Sequence, residues 1–173
     1  YNNTSFENIK AAYVDPNFFD VFNLKFLKGD TKSPFENPNS VVLTSSEAKK
    51  YFGNENPIGK RITIPELEVD LEVTAILQDM PHNTHLQMDV FIPMHHNERS
   101  NSNLWVTSGF ATYLLLEPKT QLSAIENQIP ALMKKNMGEQ VQQAIGISYE
   151  EFQKNNNIGL FLQPLTAIHL HSD

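Results

Sequence analysis

Six histidines are the side chains of this 173-residue chain best suited to hold a metal ion. They form three close pairs: His82 with His85, His95 with His96, and His169 with His171, which share one face of a predicted strand. A catalytic zinc ion needs about three protein ligands and an open position for water, usually supported by carboxylates. Because no HExxH-type helix supplies that set, we predict solvated histidines and no metal site.

Hydroxyl and carboxylate side chains are the other candidates for chemistry. A serine nucleophile needs a neighbouring base, but the candidate serines lie in neither a GxSxG turn nor an SxxK motif. Two carboxylate pairs could work as acid and base, although the first lies on the polar side of an alternating strand. The serines are Ser45, Ser46 and Ser108, and the pairs are Glu66 with Glu68 and Glu150 with Glu151. We interpret the carboxylates as a charged outer face and predict no hydrolase.

The glycines around Lys60 resemble a phosphate-binding loop at first sight. Five residues separate Gly53 from Gly59 where that motif has four, and Arg61 stands where Ser or Thr would bind magnesium. The pattern instead indicates the end of a helix followed by a turn. We therefore predict no catalytic, cofactor-binding or metal-binding residue, and a protein that is not an enzyme.

Aromatic residues offer two further candidate sites. Phe18, Phe19 and Phe22 could line a ligand box, but their helical spacing is typical of core residues. Trp105 is the only tryptophan and lies in a polar, irregular stretch. Two interpretations of Trp105 stay open, an exposed contact for a partner and a plug at the edge of a core.

Composition limits the possible classes of protein. The formal net charge of −7 disfavours nucleic acid as a partner, and the absence of cysteine excludes disulfides and thiolate metal sites. An apolar content of 40% predicts a folded core. The longest strongly apolar stretch, residues 110–116, is far shorter than the roughly 20 residues that span a bilayer. The start at Tyr1, without methionine or a signal-peptide pattern, predicts a piece of a longer protein.

The first forty residues predict a strand, a helix and a second strand. Residues 9–14 fit a strand, and Asp15 followed by Pro16 is typical of a helix N-cap and first position. A strand fragment at residues 24–27 then ends before Gly29. Residues 31–40 form a connector rich in proline and polar residues, where we place a boundary between subdomains.

The next elements predict a second strand–helix unit and a hairpin. A strand at residues 41–43 leads to a capping box of Thr44 and Glu47, which opens a helix that ends at Gly53. Strands near residues 62–64 and 67–75 then alternate apolar and polar side chains. If Ile64 pairs near Leu67, Arg61 lies opposite Asp70 in a favourable charge pair. Pro65 indicates a connection looser than a tight primed turn.

The second half predicts strands around a helix. The strands lie at residues 88–94 and 110–116, the latter apolar on both faces as in a covered central strand, and at 158–162 and 167–171 near the end. Residues 95–103 indicate a loop or a broken helix. A capping box of Ser123 and Glu126 opens the helix, Pro130 bends or breaks it, and residues 138–157 are weakly helical.

Four phrases of the sequence, in this order, resemble the extracytoplasmic domain of MacB-like and FtsX-like ABC transporter permeases. They are AAYVDPNFFDVFNLKFLKGD, VVLTSSEAKKYFGNENPIGKRITI, VTAILQDMPHNTHLQMDVFIPM and PLTAIHLHSD. The resemblance covers nearly the whole chain except residues 138–157 and implies an α+β fold of two small mixed α/β subdomains. It places residues 1–35 and 108–173 in a discontinuous porter-like subdomain, with residues 36–107 inserted as a small α/β (Sabre-like) subdomain.

The resemblance also implies a location, partners and a role. Such domains lie outside the cytoplasmic membrane, in the periplasm, between the first two transmembrane helices of a permease. A cytoplasmic ATPase moves the membrane stalks, which move the outer domains of a dimer and so export or release a substrate, a coupling called mechanotransmission. The implied partners are the ATPase, a second permease copy and either a periplasmic adaptor or a lipoprotein or peptide substrate. No cofactor is implied.

Two other functions remain compatible with the sequence. A ligand-sensing extracytoplasmic domain of a membrane receptor would also be an α/β insert between two membrane helices. A histidine-liganded metalloenzyme would have to use pairs such as His169 and His171. Neither the transported substrate nor the partners of Trp105 can be deduced from the sequence, because one scaffold serves many cargoes.

Overall fold

The fold is known from a computed structural model that describes residues 10–64, 69–105, 109–156 and 159–168. The chain separates into two compact units, residues 1–101 and residues 102–173. The first unit contains a six-stranded mixed sheet, and the described part of the second contains helices. The strands are β1 (Ala11–Val14), β2 (Phe26–Gly29), β3 (Ser40–Thr44), β4 (Arg61–Ile64), β5 (Val69–Leu77) and β6 (Val90–Pro93).

The sheet has the order β1-β6-β3-β5-β2, and β4 also pairs with β5. The pairs β1 with β6 and β3 with β5 are parallel, and the other pairs are antiparallel. The described residues also form five helices: α1 (Phe18–Val21), α2 (Ser45–Phe52), α3 (Leu122–Glu126), α4 (Ile129–Ile145) and α5 (Tyr149–Asn155). Short 3₁₀ turns lie at Met94–His96, Glu98–Asn101 and Leu165–Ala167. The mixed α/β fold expected from the sequence is confirmed.

Both faces of the sheet carry a buried apolar cluster. Helix α2 covers one face, where its residues Ala48 and Phe52 pack with strand residues such as Leu71. On the other face Phe19 packs edge-on or tilted against Phe26, Phe35 and Phe91, with ring centroids between 5.3 and 5.7 Å apart. The phenylalanines of α1 are therefore core residues, as their spacing predicted, and do not line a ligand box.

Helix α2 begins and ends where the sequence predicted. The Thr44 hydroxyl accepts a hydrogen bond from the backbone N–H of Glu47 at 3.4 Å, and Gly53 ends the helix with φ +60°. In a complete capping box the Glu47 side chain would accept the backbone N–H of Thr44. Here that N–H donates to the carbonyl of Asp89 at 2.9 Å. The Glu47 side chain is only 2% exposed and pairs instead with Lys50.

Helix α1 differs from its prediction. It begins at Phe18 with Asn17 as the preceding residue, whereas Asp15 and Pro16 were expected to open it. The carbonyl of Asp15 accepts the N–H of Phe18 at 3.0 Å in a turn that precedes the helix. A single helical turn has little stability of its own, so packing of the phenylalanines against the sheet decides where it starts.

Strand β5 is bonded to a different neighbour along each half of one edge. Its first half pairs with β4 and its last residues pair with β2. Between them Val73 exchanges two backbone bonds with the turn before β4, accepting from Gly59 at 2.9 Å and donating to Lys60 at 2.8 Å. The next carbonyl, of Thr74, accepts from Asp30 at 3.0 Å. Val73 and Thr74, which lie between the two paired segments of β5, thus both make backbone hydrogen bonds. Strand β5 therefore binds both β4 and β2 along one edge.

The connector before β3 is fixed to β5 as well. The Thr74 hydroxyl donates to the carbonyl of Pro34 at 2.7 Å, and the N–H of Glu72 donates to the carbonyl of Asn39 at 2.8 Å. Strand β3 follows with five fully buried residues. The connector is thus part of the first unit and is held along its length.

The hairpin of β4 and β5 has a register different from the predicted one. Arg61 lies opposite Glu72 and not Asp70, while Thr63 lies opposite Asp70 and donates to its carboxylate at 2.6 Å. The described strands end at residue 64 and begin again at residue 69. The prediction paired Ile64 near Leu67, whereas Ile64 pairs with Val69. A shift of two residues leaves each side chain on the same face of the sheet but gives it a different partner on the neighbouring strand. Arg61 still faces an acidic residue, so the cross-strand charge complement is retained.

Three predictions fail in the second unit. Residues 110–116 lie outside any described strand and are largely exposed, although an apolar run predicted a covered one. Residues 159–162 are likewise irregular. Of the strand predicted at residues 167–171, residues 169–171 lie outside the described residues, and Ala167 ends a 3₁₀ turn that begins at Leu165. Ser123 lies inside α3 and does not cap it, since the helix begins at Leu122. The helical region breaks between α3 and α4, which places Pro130 in the first turn of α4 where its missing N–H costs nothing.

The compact units follow a different division from the predicted subdomains. Strands β1 and β2 come from residues 1–35 but are bonded to β6 and β5, so they share the sheet of residues 36–101. The second unit starts at residue 102, close to residue 108, where the second segment of the predicted porter-like subdomain begins. The union of residues 1–35 with 108–173 in one porter-like subdomain stays a prediction.

The close approach of Gly29 to β5 predicts a position-specific loss of stability. Gly29 has φ +86°, and a Cβ added there would lie 2.1 Å from the Thr74 carbonyl oxygen. Gly59 has a similar φ of +80° but open space around an added Cβ. We expect Gly59→Ala to lower the free energy of unfolding by about 1 kcal/mol and Gly29→Ala by about 3 kcal/mol or more. Urea unfolding measures both, and equal losses would contradict the close approach.

The buried hydroxyl of Ser40 predicts the opposite effect. Ser40 is fully buried in β3, and its Oγ has no hydrogen-bond partner among the described residues. Removing an unsatisfied hydroxyl leaves nothing unpaired, so we expect Ser40→Ala to retain or increase stability. Thr74→Val, which removes the bond to Pro34, should lower the free energy of unfolding by about 1 kcal/mol. Thermal unfolding compares the two, and a large loss in Ser40→Ala would reveal an undetected partner.

Candidate functional surface

The best-organised polar cluster lies where α2 begins, at the carboxyl end of β3. Asp79 follows β5 and accepts three hydrogen bonds there. They come from the Ser46 N–H at 2.8 Å, the Ser46 hydroxyl at 2.6 Å and the Ser45 hydroxyl at 3.0 Å. Two of the three serines considered as nucleophiles, Ser45 and Ser46, thus donate to a carboxylate that satisfies the first turn of a helix.

The electrostatics of this cluster stabilise the ionised carboxylate. Partial burial alone would raise the pKa of Asp79, but the hydrogen bonds from Ser46 and Ser45 outweigh it and lower that pKa. The pKa of Lys50 is raised, chiefly by its bond to Glu47. A serine that donates to an ionised carboxylate without an intervening histidine is not activated for attack. We therefore interpret this cluster as a structural cap.

The histidines are dispersed in the described part of the chain. The rings of His95 and His96 lie 4.2 Å apart, and His96 Nε2 lies 3.0 Å from the carbonyl oxygen of Pro38. Partial burial and the neighbouring His96 lower the pKa of His95. The His85 ring contacts the ring of Phe22, with the centroids 6.3 Å apart. Within the residues described, no group of three or more His, Asp or Glu side chains could hold a metal ion.

Other predicted candidates have partners or lie outside the description. Glu150 is exposed and pairs with Lys134, which lowers the pKa of Glu150 and raises that of Lys134. Glu151 is exposed beside it in the first turn of α5. The candidates Glu66, Glu68, Ser108, His169 and His171 fall outside the described residues.

The second unit carries most of the large apolar side chains that are exposed among the described residues. Its helices share a small core, listed here in chain order: Met133, Met137, Val141, Tyr149 and Phe152. Eleven of the twelve large apolar side chains that are exposed among the described residues belong to this unit, and Leu27 is the other. Leu115 is 74% exposed and Phe161 is 79% exposed. An accumulation of this kind is typical of a surface that binds another polypeptide or a hydrophobic ligand.

Trp105 lies at one part of this surface. Trp105 is 40% exposed. Its backbone N–H donates a hydrogen bond to the side-chain oxygen of Gln140 at 2.8 Å. The amide nitrogen of Gln140 donates to the carbonyl of Asn103 at 2.7 Å. One side chain of α4 therefore fixes the Trp105 segment through two bonds, and the indole is partly open to solvent.

A groove runs beside the start of α4 and the end of α5. Its volume is about 560 Å³, and it is open to solvent. Ile129, Met133 and Phe161 line its apolar side, and Glu150 and Lys154 lie on its polar side. Such an open groove can accommodate an apolar side chain of a partner, but it does not exclude water as a catalytic pocket does.

Sequence reasoning missed two features of these sites. Asp79 follows the apolar end of β5, and its role depends on a contact with Ser46, 33 residues away, which no local pattern encodes. The apolar surface of the second unit was missed because an apolar run is indistinguishable from a buried strand until its neighbours are known.

None of the described helices is both long and apolar enough to cross a bilayer.

Comparison with known proteins gives a consistent family and fold. Residues 1–132 match the family described as the MacB-like periplasmic core domain. A domain of a Porphyromonas gingivalis protein designated a permease has a similar structure, with a TM-score of 0.63 and 20% identity over 78% of this chain. The periplasmic region of MacB from Actinobacillus actinomycetemcomitans gives a TM-score of 0.51 and 19% identity over 92% of this chain. This chain spans 62% of the first structure and 70% of the second. No curated protein sequence matches it significantly.

The cap at α2 predicts a pH-dependent contribution to stability. Because the folded pKa of Asp79 is lowered, its stabilisation is present at neutral pH and is lost as the pH falls through and below about 4. We expect Asp79→Ala to lower the free energy of unfolding by about 1 kcal/mol at pH 7 and by less at pH 3. Asp20→Ala, at an exposed residue, is the matched control. A loss in Asp79→Ala that is the same at both pH values would contradict this role.

Proposed function

Because the chain belongs to the MacB-like periplasmic core domain family, we propose that it is a mechanical lever of its transporter. It is the periplasmic domain of an ABC transporter-type permease. In the proposed role, motion of the membrane stalks driven by ATP moves this domain, which passes the displacement to a substrate. No bond is made or broken in the domain itself, and transport needs no cofactor here.

The observation that carries this proposal is the family match over residues 1–132. The fold of the first unit supports it, since a lever must move without deforming. Both faces of its sheet carry a buried apolar cluster, and the long strand β5 is bonded to three other strands. Close-packed interiors of this kind have low compressibility and transmit strain.

The partners in this proposal are those of a complete permease. They are an ATPase in the cytoplasm, a second copy of the permease and either a periplasmic adaptor or a lipoprotein or peptide substrate. The exposed apolar surface of the second unit is compatible with contacts to such polypeptides. A ligand-sensing role gains no comparable support, because the groove beside α4 is open and only partly apolar.

Spin-label distances in the intact transporter test this role. This domain contains no cysteine, so Asn54→Cys introduces one reporter site on an exposed turn of each copy. We expect the distance between the two copies to differ between the nucleotide-free and ATP-bound states of the reconstituted permease and ATPase. The double variant Asn54→Cys and Glu36→Cys measures a distance within the first unit, which should not change.

The outcomes separate the candidate functions. If ATP is hydrolysed while the distance between copies stays constant, the domain is not a lever. If the distance within the first unit changes instead, the rigid-body description is wrong. A sensor domain would respond to an added ligand and would be indifferent to ATP.

A further inference from the structure

We infer that the groove beside α4 and α5 binds a polypeptide segment of a partner in which a large apolar side chain lies beside a carboxylate. All residues that line the groove belong to the second unit. The inference concerns what this groove recognises and does not depend on the transport role. It rests on an uncovered apolar wall combined with a lysine whose charge is not compensated by the neighbouring carboxylate.

The apolar part of the groove comes from two segments of the chain. Ile129 and Met133 lie one turn apart on α4, and Met133 is also part of the core of this unit. Leu160 and Phe161 contribute the other side and are 51% and 79% exposed. A volume of about 560 Å³ lies in the usual range of ligand sites. A large apolar side chain placed here would remove both walls from contact with water.

Phe161 is held in position by a glycine. A Cβ added to Gly159 would lie 2.8 Å from the Cζ atom of the Phe161 ring. The ring therefore packs against the backbone of Gly159, at a site where a larger residue would displace it. An aromatic ring that is fixed and yet largely exposed loses little conformational entropy on binding, which is typical of the anchors of protein interfaces.

The charges of the groove favour an anionic group in the partner. Glu150 is paired with Lys134, whose hydrogen bond and charge lower the pKa of Glu150. Lys154 lies one turn further along α5 and forms no ion pair within the part of the chain that the structure describes. The negative charge of the lining is thus compensated, and the ammonium group of Lys154 is available to a carboxylate.

The shape and the polar residues favour a polypeptide over an acyl chain. The groove is open to solvent, whereas sites for small apolar ligands bury most of the surface of the ligand. Gln153 and Asn156 also line it, and side-chain amides can donate to and accept from a peptide backbone. A fatty acid has no groups to match them. A second copy of this protein is disfavoured by mutual repulsion at a net charge of −7.

Selection from a peptide library tests the inference without assuming a particular partner. The immobilised protein is exposed to random peptides displayed on phage, and enriched peptides are synthesised with a fluorescent label. We expect enrichment of peptides in which Phe, Leu or Trp stands beside Asp or Glu. The inference is wrong if no peptide is enriched above the level obtained with Lys154→Glu, or if the enriched peptides lack carboxylates.

A matched pair of charge variants locates the carboxylate of the bound peptide. Fluorescence anisotropy gives the Kd of the most enriched peptide for each protein. We expect Lys154→Glu to raise this Kd about fivefold or more, and Lys119→Glu, at an exposed lysine outside the groove, to leave it unchanged. A peptide with lysine in place of its carboxylates should bind Lys154→Glu more tightly than it binds the wild type. Equal values of Kd for wild type and Lys154→Glu would overturn the inference.

A second set of variants tests the apolar wall. We expect Phe161→Ala to raise the Kd about tenfold, whereas Leu115→Ala, at an equally exposed residue outside the groove, should leave it unchanged. Gly159→Ala removes no side chain but should also weaken binding, because the added Cβ displaces the Phe161 ring. Thermal unfolding verifies that each variant is folded. A Kd unaffected by both Phe161→Ala and Gly159→Ala would place the peptide elsewhere and contradict the inference.

Further measurements distinguish the other occupants. Binding of oleate that is lost in Phe161→Ala, in the absence of peptide binding, would identify a lipid site and overturn the inference. A dimer in light scattering that Phe161→Ala dissociates would identify a second copy as the occupant and also overturn it. None of these measurements uses ATP or a membrane, so their failure is separate from failure of the lever role.

Discussion

The first unit depends on the backbone bonds that β5 makes as it passes from one neighbour to the next. A strand of nine residues is too long for either of its four-residue partners, so β4 and β2 share one edge. At the change of partner, the N–H groups of Gly59 and Asp30 donate to the carbonyls of Val73 and Thr74, which would otherwise be unpaired. This continuity lets one central strand fix the connector and both faces of the core.

Local patterns were sufficient for the elements whose ends are determined by neighbouring residues. Helix α2 was predictable because Thr44 and Gly53 act within one turn of its ends. The alternation along β5 was predictable because one face must be buried. The register of the hairpin was not, since shifting the pairing by two residues leaves every side chain on the same face and changes only the partners. The Asp79 cap was out of reach for a related reason, because it joins segments far apart in sequence.

The second unit shows where an apolar sequence ceases to be informative. Residues 110–116 and 158–162 were predicted as strands from their content, but a strand exists only with a bonded neighbour. In the described residues of this unit the helices α4 and α5 pack against each other, whereas residues 110–116 and 159–162 form no regular strand. Trp105 illustrates the same limit, since its attachment to Gln140 depends on which face of α4 lies nearby. Ser45 and Ser46, which the sequence offered as possible nucleophiles, donate their hydroxyl groups to the carboxylate of Asp79.

The strands at the borders of the sheet, β1, β2 and β4, are only four residues long, although the strand between them spans nine. A short border offers few amide groups to an incoming chain, and a template for cross-β growth needs a longer flat segment. The sheet therefore protects a strongly β-forming sequence from seeding fibrils.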